Sequence, residues 1–95
     1  MKVLVACANG AGTSLMLSMT VKRVFEKNNL KMTRMHHCAI AEGKSSANQY
    51  DLIFTTQNFK DHFELAERQG KKVLAVQNVM SDAEVEKALK EEGLL

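Results

Sequence analysis

The chain has no proline, no tryptophan, only five glycines and only two cysteines in 95 residues. Without proline there is no cis-prolyl turn and no Asp-Pro acid, and few places break regular elements. Two cysteines cannot staple a small fold, which excludes a disulfide scaffold and points to reduced thiols in a cytoplasmic setting. No charge dominates: 13 Lys+Arg against 11 Asp+Glu leave a net charge of +2, with both signs scattered. A dedicated nucleic-acid binder needs a basic block, so that class is excluded. The longest apolar run, Val3 to Ala8, falls far short of the ~20 residues of a membrane-spanning helix. It is followed by Asn9-Gly10-Ala11-Gly12 and by no plausible cleavage site, which argues against a secretory signal. What is present is ordinary globular material, 45% hydrophobic and 25% charged, expected to form one domain over residues 1–95.

Lys2-Val3-Leu4-Val5-Ala6 reads as a strand buried on both faces. A helix is predicted from Gly12 or Thr13 to Asn28-Asn29, with Leu17, Val21, Val24 and Phe25 on one stripe. Met32 to Cys38 is a second, weakly periodic strand, and the polar segment Ala41 to Gln49 is expected to hold a short helical turn. Asp51 to Thr56 is a third strand. Asn58 is expected to cap a helix that buries Phe59, Phe63 and Ala66 and stops at Gly70. Lys72 to Val76 is the fourth strand. Ser81-Asp82-Ala83-Glu84 matches a capping box for a last helix, with Val85, Ala88 and Leu89 inward and Gly93 as its stop. Strands alternating with helices predict an α/β fold: a three-layer α/β/α sandwich around a four-stranded parallel sheet, of Rossmann-like or phosphatase-like topology.

In such sheets ligands bind beyond the carboxyl ends of the strands, where Cys7-Ala8-Asn9-Gly10-Ala11-Gly12-Thr13-Ser14 leads into the first helix. Small residues and two glycines let backbone N–H groups turn inward beside the positive end of the helix dipole, which suits an anion. No Lys precedes Thr13 or Ser14, so the segment is not a Walker A loop. Leu15 replaces the third glycine of a dinucleotide fingerprint, and His36, His37 and Cys38 stand where its acidic residue would be. Cys7 in this setting is expected to be a stabilised thiolate, able to accept a phosphoryl group whose oxygens the loop amides hold. Phosphoryl transfer asks mainly for positioning and charge stabilisation, so neither metal nor cofactor is required.

The order strand, Cys7, x, Asn9-Gly10, x, Gly12-Thr13-Ser14, helix resembles the enzyme IIB components of the phosphoenolpyruvate-dependent sugar phosphotransferase system. Within them it is most similar to the ascorbate-type group, related to the galactitol and lactose/cellobiose IIB proteins. Further likeness lies at Cys38-Ala39-Ile40-Ala41-Glu42, Tyr50-Asp51-Leu52-Ile53 and Val79-Met80-Ser81. Ala8 departs from the glycine that commonly follows the cysteine. The resemblance implies a cytoplasmic protein-phosphohistidine–sugar phosphotransferase working transiently at the inner face of the membrane. In it Cys7 takes a phosphoryl group from the IIA partner and passes it to a sugar in the IIC permease. It further implies that Ala8, Asn9, Gly10, Ala11, Gly12, Thr13 and Ser14 hold the phosphate.

Two other readings compete. A low-molecular-weight phosphatase would need Cys-x5-Arg, but Thr13 stands at the arginine position. A regulatory IIB-like interaction domain would have no use for Cys7. Leu15, Met16 and Met19 beside the loop suit either core packing or partner contact, flexible thioethers being adaptable to two partners. Cys38 reads as a buried structural thiol, with an inhibitory Cys7–Cys38 disulfide as a conditional hypothesis. Adjacent His36 and His37 point to opposite faces of a strand, and His62 lies on a solvated helix face, so no zinc site is expected.

Overall fold

The computed structural model describes residues 1–7 and 11–95. The strands are β1 (Lys2–Cys7), β2 (Arg34–Ala39), β3 (Leu52–Thr56) and β4 (Lys72–Val76), and the helices are α1 (Ala11–Lys27), α2 (Ile40–Ser46), α3 (Glu64–Arg68) and α4 (Asp82–Glu91). All strand pairings are parallel, and the spatial order is β2-β1-β3-β4. Side chains alternate across each strand, so the sheet has two apolar faces. Val3, Val5 and Cys7 of β1 pack with Leu17, Val21, Val24 and Phe25 of α1 and with Val85 and Leu89 of α4. Leu4 and Ala6 pack on the other side with Cys38, Ile40, Phe63 and Ala66. The three-layer parallel fold expected from the sequence is the fold observed.

Several boundaries differ for identifiable reasons. β2 starts at Arg34, not Met32, because its pairing with β1 runs from Lys2↔Arg34 to Cys7↔Ala39. Asn58 does not cap a helix: Gln57–Phe63 winds as a 3₁₀ segment whose N-cap is Thr56, and no side chain closes it. α3 follows only from Glu64. The capping box of α4 is half formed. Ser81 Oγ accepts from the Glu84 amide at 3.2 Å, but the Glu84 carboxylate turns away and accepts from the Gln77 and Asn78 amides at 2.8 and 2.9 Å. It thereby ties the chain leaving β4.

The C-termini of α1, α3 and α4 share one device. Asn29, Gly70 and Gly93 take positive φ, and the next amide in each case reaches back five residues, as Leu30 does to the Phe25 carbonyl at 2.8 Å. Asn29 performs with a side chain what glycine performs at the other two. Gly43 of α2 has a different reason: a Cβ there would stand 2.8 Å from Ala6 Cβ and 3.3 Å from Phe63 Cζ. Its missing side chain lets α2 lie directly on β1.

Candidate functional site

Chain order places the site before any side chain does. β1 is followed by β2 on one side of it, whereas β3 lies on its other side. The direction of winding reverses at β1, and at such a reversal the crevice beyond the carboxyl ends of the strands is open for a ligand. Cys7 is the last residue of β1, and α1 begins at Ala11. Ala8, Asn9 and Gly10 of the expected phosphate loop lie outside the described residues, while Ala11 and Gly12 are the first residues of α1.

Cys7 is wholly buried among Val3, Val5 and the inner face of α1. Burial pushes its thiol from an ordinary 9.0 up to about 11, with Cys38 adding in the same direction. Burial of the resting thiol thus works against the stabilised thiolate expected from the sequence.

Thr13 and Ser14 occupy the first turn of α1, Thr13 half-buried and Ser14 buried. The Ser14 hydroxyl shares a hydrogen bond with His37 Nδ1 at 3.3 Å. The register Val5↔His37 explains this, since it puts His37 on the α1 side of the sheet. His36, one residue earlier, serves the opposite side, where its Nε2 meets Glu42 of α2 at 2.6 Å. The two imidazoles bond to opposite layers, although their ring centroids stay 6.5 Å apart. The Ser14–His37 contact was not anticipated; residue spacing could not reveal it, because it depends on which residue of β2 faces α1.

Cys38 is buried as expected, and burial followed by the charge of Glu42 pushes its thiol up to about 11. It shares its face with Ala6, not with Cys7, so the structure separates the two thiols. The expectation of no metal-ligand cluster needs correction in one respect. His36, Cys38 and Glu42 bring one donor atom each within 4.8 Å of one another. The signal was legible: residues i and i+2 of a strand share a face, and the helix after β2 folds back over it.

Leu15, Met16 and Met19 are all exposed, at 45, 41 and 52%. None of them serves the core; that task falls to Leu17, Val21 and Val24. Beside them runs an open groove of about 410 Å³ between α1 and β2, whose lining includes Met19, Lys22, Met32, Arg34 and His37. His62 is exposed in the 3₁₀ segment, its ring 5.4 Å from that of Phe59. Thr55, near the end of β3, buries a hydroxyl that has no hydrogen-bond partner among the described residues.

The family described as "PTS system, Lactose/Cellobiose specific IIB subunit" matches residues 2–91. Among curated proteins the chain is similar to the ascorbate-specific PTS system EIIB components of Salmonella typhimurium and of Escherichia coli O157:H7. Each is 29% identical over 83 residues, covering 87% of this chain and 79% of the relative. Among solved structures, the lactose-specific IIB component domain from Streptococcus pneumoniae superposes with a TM-score of 0.66. It is 22% identical, and the match covers 97% of this chain and 93% of the other, a likeness of fold.

Proposed function

Because the chain belongs to the lactose/cellobiose-specific IIB family of the sugar phosphotransferase system, we propose that Cys7 is its phosphoryl carrier. The observation that carries this reading is the place of Cys7, which ends β1 at the reversal point of a parallel sheet, with three residues between it and the start of α1.

The chemistry balances in two steps. The Cys7 sulfur, having lost its proton, attacks the phosphorus of a phosphohistidine on IIA in line; the S–P bond forms, the P–N bond breaks, and the imidazole keeps the electron pair and takes a proton. A hydroxyl of the sugar held by IIC then attacks the same phosphorus. Its oxygen forms the new bond, the P–S bond breaks, and the hydroxyl proton leaves to a base. Between the steps the S-phosphoryl group carries a charge of about −1.5 to −2, by analogy with other phosphorylated side chains. The amides from Ala8 to Ser14 and the positive end of α1 take up that charge.

The buried resting thiol fits a carrier that reacts only inside a complex, where the incoming phosphoryl group and its donors replace the lost hydration. No arginine follows Cys7 at the spacing a cysteine phosphatase uses, which favours handing the group on over hydrolysis. Leu15, Met16 and Met19 form the apolar contact surface for IIA and IIC in turn. The sugar is L-ascorbate or a close relative, on the strength of the curated relatives' names. The protein works in the cytoplasm and at the inner membrane face; among the described residues no helix is long and apolar enough to cross a membrane.

Incubation with phosphoenolpyruvate, the general phosphotransfer proteins and IIA is expected to add the mass of one phosphoryl group to the wild-type chain and none to Cys7→Ser. An adduct that persists in Cys7→Ser overturns the cysteine assignment. A wild-type chain that stays unmodified, while a known IIB in the same mixture is labelled, supports the non-catalytic interaction domain instead. Phosphorylation of ascorbate in membranes bearing the cognate IIC, against lactose and galactitol as controls, tests the sugar.

A further inference from the structure

The cluster on the far face of the sheet from Cys7 has no part in the relay. The geometry points to a second site there, in which His36 Nε2, Cys38 Sγ and a Glu42 carboxylate oxygen together take one borderline-soft divalent cation of the zinc class.

The fold builds this triad from two short facts of local structure. His36 and Cys38 are i and i+2 on β2 and therefore project to the same face. α2 starts at Ile40 with no loop between, so Glu42 in its first turn comes back over that face. The three donor atoms lie within 4.8 Å of one another. In a tetrahedral zinc site with ligands at ~2.0–2.3 Å, neighbouring donors stand ~3.3–3.6 Å apart. Closing from the observed cluster takes about an ångström of side-chain movement on the sulfur side. It also takes a slight parting of the His36–Glu42 pair, now at 2.6 Å. That hydrogen bond already holds two of the ligands in place, and a cation would replace the proton they share.

The donor set selects the ion. One sulfur, one imidazole and one carboxylate suit zinc or cobalt, while magnesium and calcium prefer oxygen alone. Three protein ligands leave a fourth position for water. Access and floor are both present: His36 and Glu42 keep 43 and 60% of their side chains exposed, whereas Cys38 is 6% exposed and closes the bottom. An ordinary surface pair of histidine and glutamate accounts for two of these residues; it does not account for a thiol placed beneath them. On binding, the Cys38 thiol proton goes to solvent, the proton between His36 and Glu42 leaves Nε2 for Nδ1 or for solvent, and a metal–sulfur bond forms, so the ion's charge is partly neutralised by thiolate and carboxylate.

Cobalt(II) titration of the Cys7→Ser variant reads the site directly and is independent of the proposed relay, because the carrier sulfur is gone. The expected result is one equivalent bound with a thiolate-to-cobalt charge-transfer band, displaced by zinc. Cys38→Ser should abolish the band. His36→Ala and Glu42→Gln, both at exposed positions, should each weaken cobalt binding at least ~10-fold while leaving the circular dichroism unchanged. Absence of the band, its survival in Cys38→Ser, or binding indifferent to both His36→Ala and Glu42→Gln overturns the site. The last two variants keep the test decisive even if Cys38→Ser does not fold.

Discussion

Cys7 and Cys38 lie on paired strands, yet they face opposite layers of the sheet. β1 and β2 run parallel with Ala6↔Cys38 and Cys7↔Ala39 in register, so Cys38 shares its face with Ala6 and Cys7 packs against α1. A disulfide needs Cβ atoms about 3.5–4.5 Å apart with the two side chains converging. Here the two side chains diverge to opposite faces of the sheet. Mild peroxide treatment of the native protein is therefore expected to leave no Cys7–Cys38 bridge. Non-reducing peptide mapping that found the linked pair in folded protein would show that β1 and β2 bring the two thiols to one face.

Burial of Cys7 has a signature at alkaline pH. Its thiol stands at about 11 in the folded chain against 9.0 ordinarily, raised by burial and then by Cys38. A group whose pKa is raised on folding contributes its stability in full below the unfolded value and loses it as pH climbs through the folded one. The loss attributable to Cys7 thus falls between about pH 9 and 11 and is on the order of 2 kcal/mol at the upper end. Urea unfolding of wild type and Cys7→Ala across that window should show the shallower pH dependence in the variant. Equal slopes would mean that the sulfur is better solvated than its surroundings indicate.

Gly43→Ala separates helix propensity from packing. Alanine favours a helix over glycine by roughly 1 kcal/mol, which on an exposed helix would stabilise the chain. Here the added methyl meets Ala6 Cβ at 2.8 Å and Phe63 Cζ at 3.3 Å, and neither a strand alanine nor a core ring yields easily. Overpacking costs about 1–3 kcal/mol, so the net effect should be destabilising by up to about 2 kcal/mol. A variant as stable as wild type would mean that α2 lifts freely from β1.

The turn after β4 depends on Glu84. Its two carboxylate oxygens accept from the Gln77 and Asn78 amides, and its own amide donates to Ser81 Oγ. Glu84→Ala leaves both loop amides to water and should cost about 1–2 kcal/mol, Ser81→Ala about 1 kcal/mol. Glu84→Gln retains one acceptor oxygen and should fall between wild type and alanine. Thermal melts of the three variants give the order directly; a harmless Glu84→Ala would remove the carboxylate from any role in this turn.

What the chain discloses in advance follows from how local each feature is. Lys72–Val76 is a strand by its own apolar run, and β4 has those limits. Leu17, Val21, Val24 and Phe25 announce the buried stripe of α1 by spacing alone, and all four are buried. Gly70 and Gly93 stop their helices where expected. Features set by register or by competition between partners are not written locally. The start of β2 depends on the length of β1, and the pairing of Ser14 with His37 depends on which face His37 takes. Glu84 had two sets of amides within reach, and the sequence names only one of them. Asn58 looked like a cap because asparagine often is one; the 3₁₀ winding from Gln57 left its side chain no such task. At the site, the place of Cys7 was evident from the strand and the glycine-bearing turn, but the direction of its thiol shift was not, because desolvation is a property of the packed fold.

A sulfur with no surface of its own imposes a rule of timing. If Cys7 is the carrier, a donor cannot reach it by chance collision, and whatever docks on the exposed Leu15 and Met16 of α1 must also uncover the atom it will modify. Docking and exposure then become a single event, much as a key both fits and opens a lock. Stray oxidants, alkylating agents and water would meet a buried sulfur. The phosphoryl group would then pass through a protein that does not show its reactive atom to the solution between handovers.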